Sequence, residues 1–205
     1  MSSDFPRDPE FQMKRGLAIE AYAGLESALN YLFGHLLETS PDKAGVVFFR
    51  VVNSRARNTM LEDLLDKKHR KKYDDFFRGI SGAPGQKRQP GLFAMITALD
   101  QQRNEIVHWH TVFARRRVGE TQEELRPHVF WSTLMEDEPA RWYGKKRLQS
   151  FIDKTDFVAA TVWAFYRVME NKLDGLVGDP AAWAKVFEAP PVYPAPEAHP
   201  LYKPE

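Results

Sequence analysis

The chain has 205 residues, 29 Lys and Arg against 28 Asp and Glu, and no cysteine. That length suits one hydrophobic core with appendages. The missing cysteine excludes disulfides, thiolate metal sites and cysteine nucleophiles, and makes the cytoplasm the default compartment. Hydrophobic residues at 43% and charged residues at 28% argue against both a membrane protein and a disordered chain. No apolar run approaches the roughly 18 residues of a transmembrane helix, and residues 1–7 lack the apolar stretch of a secretory leader.

Asp8-Pro9-Glu10 is a helix start, an N-cap followed by a proline whose missing N–H is not needed there. The helix is predicted to reach about Leu37, with Ala18, Tyr22, Leu25, Leu29, Leu32 and Leu36 as its apolar stripe. Ser40-Pro41-Asp42 caps a second helix. The run at residues 46–52 also has the β-branched and aromatic character of a buried strand, but the strong start favours helix. A third helix follows Asn53-Ser54, with Met60, Leu61, Leu64 and Leu65 inward, and is expected to continue through Tyr73, Phe76 and Phe77. Residues 79–91, rich in Gly, Pro and basic side chains, read as an exposed loop.

Gly91 opens a helix predicted to run to about His110 or beyond. After it come short β-like runs at 111–118, 128–134 and 141–143, expected to form a small antiparallel hairpin or sheet. A long helix is expected from about Ser150, with Phe151, Phe157, Val158, Val162, Phe165, Tyr166 and Met169 as its apolar residues, and Asp179-Pro180 caps a short one through Phe187. Past Ala189 the prolines at 190, 191, 194, 196, 200 and 204 exclude helix, leaving a segment extended over the surface or mobile. The expected architecture is mainly α: an up-and-down helical bundle over residues 1–189, with a β insertion at about 111–145 before the last long helix, and a Pro-rich tail at 190–205.

Charge is unevenly spread. Between Arg55 and Arg117 there are 14 Lys and Arg against 7 Asp and Glu, which favours an anionic partner such as a nucleic-acid backbone. Lys87, Arg88, Arg115, Arg116 and Arg117 are the candidate backbone contacts. The run from Lys67 to Lys72 has a plainer reading as a solvated helix end beside Asp74 and Asp75.

Within the positive segment, Arg103-Asn104-Glu105-Ile106-Val107-His108 puts three chemically capable side chains into an otherwise apolar helix. Arg103 falls on the stripe of Leu92, Ile96, Leu99 and Ile106, where a guanidinium must be paired or put to use. Its expected structural partner is Glu26, or Glu20, of the first helix. Asn104 and His108 lie four residues apart on one face, whereas Arg103 and His108 are about 140° apart. A straight helix does not bring Arg103 and His108 onto one small ligand, so either the helix ends near His108 or a second copy of the chain completes the site.

Imidazole titrates near neutrality and suits proton transfer. Guanidinium offers a fixed fork matched to phosphate, and Asn104 could orient either group. Together the three could cleave RNA without a metal, His108 moving the proton and Arg103 holding the charge that develops on phosphorus oxygens. His108-Trp109-His110 would hold a metal only on extended backbone. Trp109, Trp131, Trp142 and Tyr143 are either core or, if exposed, a surface on which bases stack.

Arg103-Asn104-x-x-x-His108 on the penultimate long helix of a bundle resembles the signature of the HEPN superfamily, an Arg, a polar residue directly after it and a His four to six residues beyond. The resemblance spans roughly residues 9–172. It implies an all-helical bundle that dimerises, with Arg103, Asn104 and His108 as catalytic residues of a metal-independent ribonuclease needing no cofactor. It also implies a toxin–antitoxin, phage-defence or RNA-processing setting, where a cognate antitoxin would be a partner. The competing expectation is a non-catalytic bundle that binds a partner protein, nucleic acid or a nucleotide-like ligand.

Overall fold

The computed structural model describes residues 8–82, 88–108, 110–118, 122–130 and 143–204, with 110–118 and 122–130 described by backbone alone. Among these residues seven helices and four strands occur in the order α1 (Pro9–Leu36), α2 (Pro41–Phe48), α3 (Ser54–His69), α4 (Asp74–Arg78), β1 (Gly79–Ile80), β2 (Gln89–Pro90), α5 (Leu92–His108), β3 (His110–Val118), β4 (Gln122–Phe130), α6 (Lys145–Met169) and α7 (Pro180–Val186). The protein is mainly helical, as composition and periodicity predicted. No helix among the described residues is long and apolar enough to cross a membrane.

Local chemistry sets the helix starts. Asp8 accepts from the Phe11 amide at 3.0 Å, Asn53 from Ala56 at 3.1 Å and Asp179 from Ala181 at 3.0 Å, each satisfying an amide that has no carbonyl one turn back. Pro9, Pro41 and Pro180 stand at the first turns of α1, α2 and α7, where proline costs nothing.

The long helices α1 and α6 run parallel, Lys145 meeting Asp8 and Glu10 at their starts and His35 meeting Glu170 at their ends, and form the spine. Every residue of the predicted α1 stripe is buried, and so are Phe151, Phe157, Val158, Val162, Phe165 and Tyr166 of α6. Phe165 is the hub of an aromatic cluster, with Phe77, Tyr73 and Phe187 rings centred 4.9, 5.0 and 5.1 Å from its own. Edge-on contacts of this kind add about 0.5–1.5 kcal/mol each to simple burial.

Several boundaries differ from the sequence reading. Helix α2 stops at Phe48, so residues 51–53 are neither helix nor strand. Helix α3 does not run on to Phe77: Arg70 and Lys71 take left-handed backbone at φ 47° and 64°, and α4 restarts at Asp74. The loop at 79–91 is closed by a two-residue ladder, Gly79 opposite Pro90 and Ile80 opposite Gln89. Two glycines permit this closure, since a Cβ on Gly79 would stand 2.1 Å from the Gln89 carbonyl and one on Gly91 2.3 Å from the Gly79 nitrogen.

Helix α5 ends at His108 rather than at or past His110, which already opens β3. The β insertion is a hairpin with His110 opposite Phe130 and Val118 opposite Gln122. Its second strand therefore takes in residues 122–127, which their polarity had marked as a connector. The expectations at 131–134 and at Arg141 and Trp142 fall outside the described residues. Helix α6 begins at Lys145, earlier than expected. The proline segment lies along α6 and α7, with Tyr193, Ala195 and Leu201 against the core and His199 buried.

Candidate functional site

Helix α5 carries the motif on the flank of α1, and three side chains of the neighbouring helices fix its position. Arg15 of α1 donates from Nε to the Ile106 carbonyl at 2.8 Å and from Nη2 to the Val107 carbonyl at 3.1 Å. A cation there satisfies orphan carbonyls and complements the negative end of the helix dipole. Burial pulls the Arg15 pKa down from its ordinary value. About two turns earlier, the Tyr22 hydroxyl donates to Asp100 Oδ1 at 2.8 Å and the Ser54 hydroxyl to Asp100 Oδ2 at 2.5 Å. Asp100 thus ties α5 to both α1 and α3. Burial first, and then the charge of Asp100, raise the Tyr22 pKa, so its phenol remains a donor.

Arg103 lies one turn beyond Asp100. It is half-buried, with its guanidinium 5.4 Å over the Tyr22 ring and Nη1 donating to Asn104 Oδ1 at 3.0 Å. Glu26, the partner expected for it, is taken by Arg57 of α3, whose Nη2 donates to Glu26 at 2.6 Å. Glu20 is exposed. Arg103 makes no ion pair with any described carboxylate. The expectation of Glu26 or Glu20 as its partner is therefore corrected: an aromatic face and a side-chain amide hold the guanidinium, and neither carries a compensating charge.

Asn104 and His108 are exposed and share a face four residues apart. His108 is the last residue of α5, which is one of the two geometries the spacing of Arg103 and His108 left open. Between them, Glu105 accepts from the hydroxyl of fully buried Tyr143, and Arg147 of α6 lies 4.0 Å over the Tyr143 ring. Glu105 therefore anchors α5 to the start of α6.

The other basic candidates are spread out. Arg88 is exposed, its Nη2 reaching the Arg78 carbonyl at 3.4 Å, and Lys87 lies outside the described residues. Arg115, Arg116 and Arg117 sit in β3 at ladder positions opposite Leu125, Glu124 and Glu123. Among the described residues no group of three or more His, Asp or Glu could hold a metal ion.

Sequence reasoning missed Arg15, Ser54 and Asp100. For Asp100 a signal existed, since it precedes Arg103 by three residues and so shares its face. Nothing local marks Arg15 or Ser54, because their partners are more than 40 residues away. The chain matches no protein-family model, no curated protein and no solved structure.

Proposed function

We propose that the protein is a metal-independent endoribonuclease of HEPN type, acting as a homodimer in which Arg103, Asn104 and His108 of each copy contribute to a shared site. One observation carries the reading: a guanidinium held in place by Asn104 and Tyr22, uncompensated by a described carboxylate, five residues before an exposed imidazole at a helix end. In the proposed reaction, His108 takes the proton from a ribose 2′-hydroxyl. The 2′-oxygen bonds to the adjacent phosphorus, the bond from phosphorus to the 5′-oxygen breaks, and that oxygen leaves as a hydroxyl after protonation by the second copy's imidazole. Arg103 stabilises the charge on the non-bridging oxygens, and Asn104 orients it. The products are a 2′,3′-cyclic phosphate and a 5′-hydroxyl.

The test is incubation of the purified protein with mixed RNA in EDTA beside His108→Ala and Arg103→Ala. Cleavage leaving cyclic phosphate ends, abolished in both variants while melting is unchanged, is the expected result. No cleavage by the parent, or equal cleavage by the variants, overturns it.

A second reading is favoured by the apolar edge of α2, where Val46, Val47, Phe49 and Val52 are 67%, 51%, 52% and 92% exposed. A patch of this kind suits a partner protein. On that reading the bundle is non-catalytic, and a partner such as an antitoxin, rather than RNA, would cover it.

A further inference from the structure

At the other end of the bundle, three helices meet through two histidines and a carboxylate that the proposed reaction does not use. His35, near the end of α1 and 7% exposed, points Nδ1 at Glu170, the residue capping α6. Its Nε2 lies 3.2 Å from Nε2 of His69, the last residue of α3. The two rings are nearly parallel, with centroids 5.4 Å apart and planes 19° apart. Two facing ring nitrogens at that distance hold a single proton between them: one donates and the other accepts.

We infer that the His35–His69 contact is an acid-operated clasp, closed by one proton between the rings and opened by a second, which loosens the C-terminal turn of α3 from α1 and α6. With both Nε2 atoms protonated neither can accept, and two N–H groups pointing at each other at this distance repel.

The surroundings fit this assignment. On the α6 side, Glu170 also accepts from Lys172, which donates to the Tyr166 hydroxyl at 2.9 Å. These groups, with Glu38 and Lys68, line a cleft of about 470 Å³ that admits water and protons to His35. Lys68 and Lys72 raise the positive potential at His69, and Tyr73 packs edge-on against its ring. On its far side Glu62, Asp66 and Asp74 share a small cavity with Lys71 and Arg78. Arg78 binds all three carboxylates, so they are not free to receive the extra proton's charge. Just past His69, Arg70 and Lys71 hold left-handed backbone, which side-chain-bearing residues adopt at a cost.

Amide hydrogen exchange on the full chain tests this, following Arg70, Lys72 and Asp74, whose N–H groups bond to the carbonyls of Asp66, His69 and Lys71. Corrected for intrinsic rates, their protection should fall at least tenfold between pH 7.5 and pH 5, while Leu148 at the opposite end of the bundle stays constant. In His69→Gln, whose amide oxygen still accepts from His35 but takes no proton, the fall should vanish. Constant protection in the parent, or the same fall in His69→Gln, overturns the clasp. Should that variant not fold, ring 15N shifts of the parent decide, because protection must then drop in step with protonation of a histidine hydrogen-bonded to another ring. Loss without that coincidence also overturns it.

Discussion

Arg15 closes the end of α5 by donating from Nε to the carbonyl of Ile106 at 2.8 Å, so the last turn of the motif helix is held by a cation from a different helix. Replacing Arg15 with Met keeps the aliphatic stem and removes the fork. Hydrogen bonds from a charged donor contribute about 1.5–3 kcal/mol, and the expected loss is about 2 kcal/mol in chemical denaturation. Exchange protection should fall first at residues 106–108, and any RNA cleavage should drop with it, because His108 loses its placement.

Tyr22→Phe removes one of the two donors to Asp100 and leaves the aromatic face beneath Arg103. The predicted cost is about 1–2 kcal/mol, read from urea unfolding. Adding Ser54→Ala should cost more than the sum of the two single changes, since the pair shares one acceptor and only the double variant strips the carboxylate of both.

Arg103→Ala is expected to be nearly silent in stability, at less than about 1 kcal/mol, because a half-exposed guanidinium over a ring contributes little to folding. A melting curve checks this. A loss of several kcal/mol would mark Arg103 as a structural group rather than one placed for a ligand.

Acidification should destabilise the fold, and the sign follows from His69. Burial, aided by His35, Lys68 and Lys72, pushes its pKa down to about 4 from 6.5, so between those values the unfolded chain binds the proton and the folded one does not. Stability is full above about pH 6.5 and is lost as pH falls toward 4. The lost amount is about 2 kcal/mol, smaller than the full shift implies because the ring is partly solvated. Glu170, whose pKa is lowered chiefly by the hydrogen bond from His35, adds a loss of the same sign at lower pH. Buried His199 also titrates low, so the difference between parent and His69→Gln, measured by thermal melting from pH 7.5 to 4, isolates the His69 part.

Phe165→Ala removes the hub of the aromatic cluster that joins α4, α6 and α7. The expected cost is about 3–5 kcal/mol, the range for emptying a fully buried aromatic site. A smaller value by denaturation would mean that Phe76, Phe77 and Phe187 collapse into the space.

Much of the site was legible in one dimension. The positions of Asn104 and His108 on one helix face, and the angular separation of Arg103 from His108, follow from 3.6 residues per turn. The partner of Arg103 was not legible. Glu26 has the right charge and lies on the right helix, but Arg57 reaches it first, and the choice between two cations depends on how α3 lies against α1. Tyr22 read only as an apolar stripe residue, though its hydroxyl is the polar handle that positions Asp100.

By itself the sequence determined whatever depends on neighbours a few residues apart: the capped starts at Asp8, Asn53 and Asp179, the α1 stripe, the exclusion of helix after Ala189, and the composition of the Arg103-to-His108 run. Tertiary structure alone decided what depends on which helices meet. It brought His69, the last residue of α3, onto the ring of His35. It set Arg15 on the Ile106 and Val107 carbonyls in the last turn of α5, and it gave Glu26 to Arg57, leaving Arg103 without an ion pair to any described carboxylate. The physical reason is range. Caps and periodicity are set within a turn or two of backbone, whereas a hydrogen bond or ion pair between distant residues exists only after packing has brought them within about 3 Å of each other.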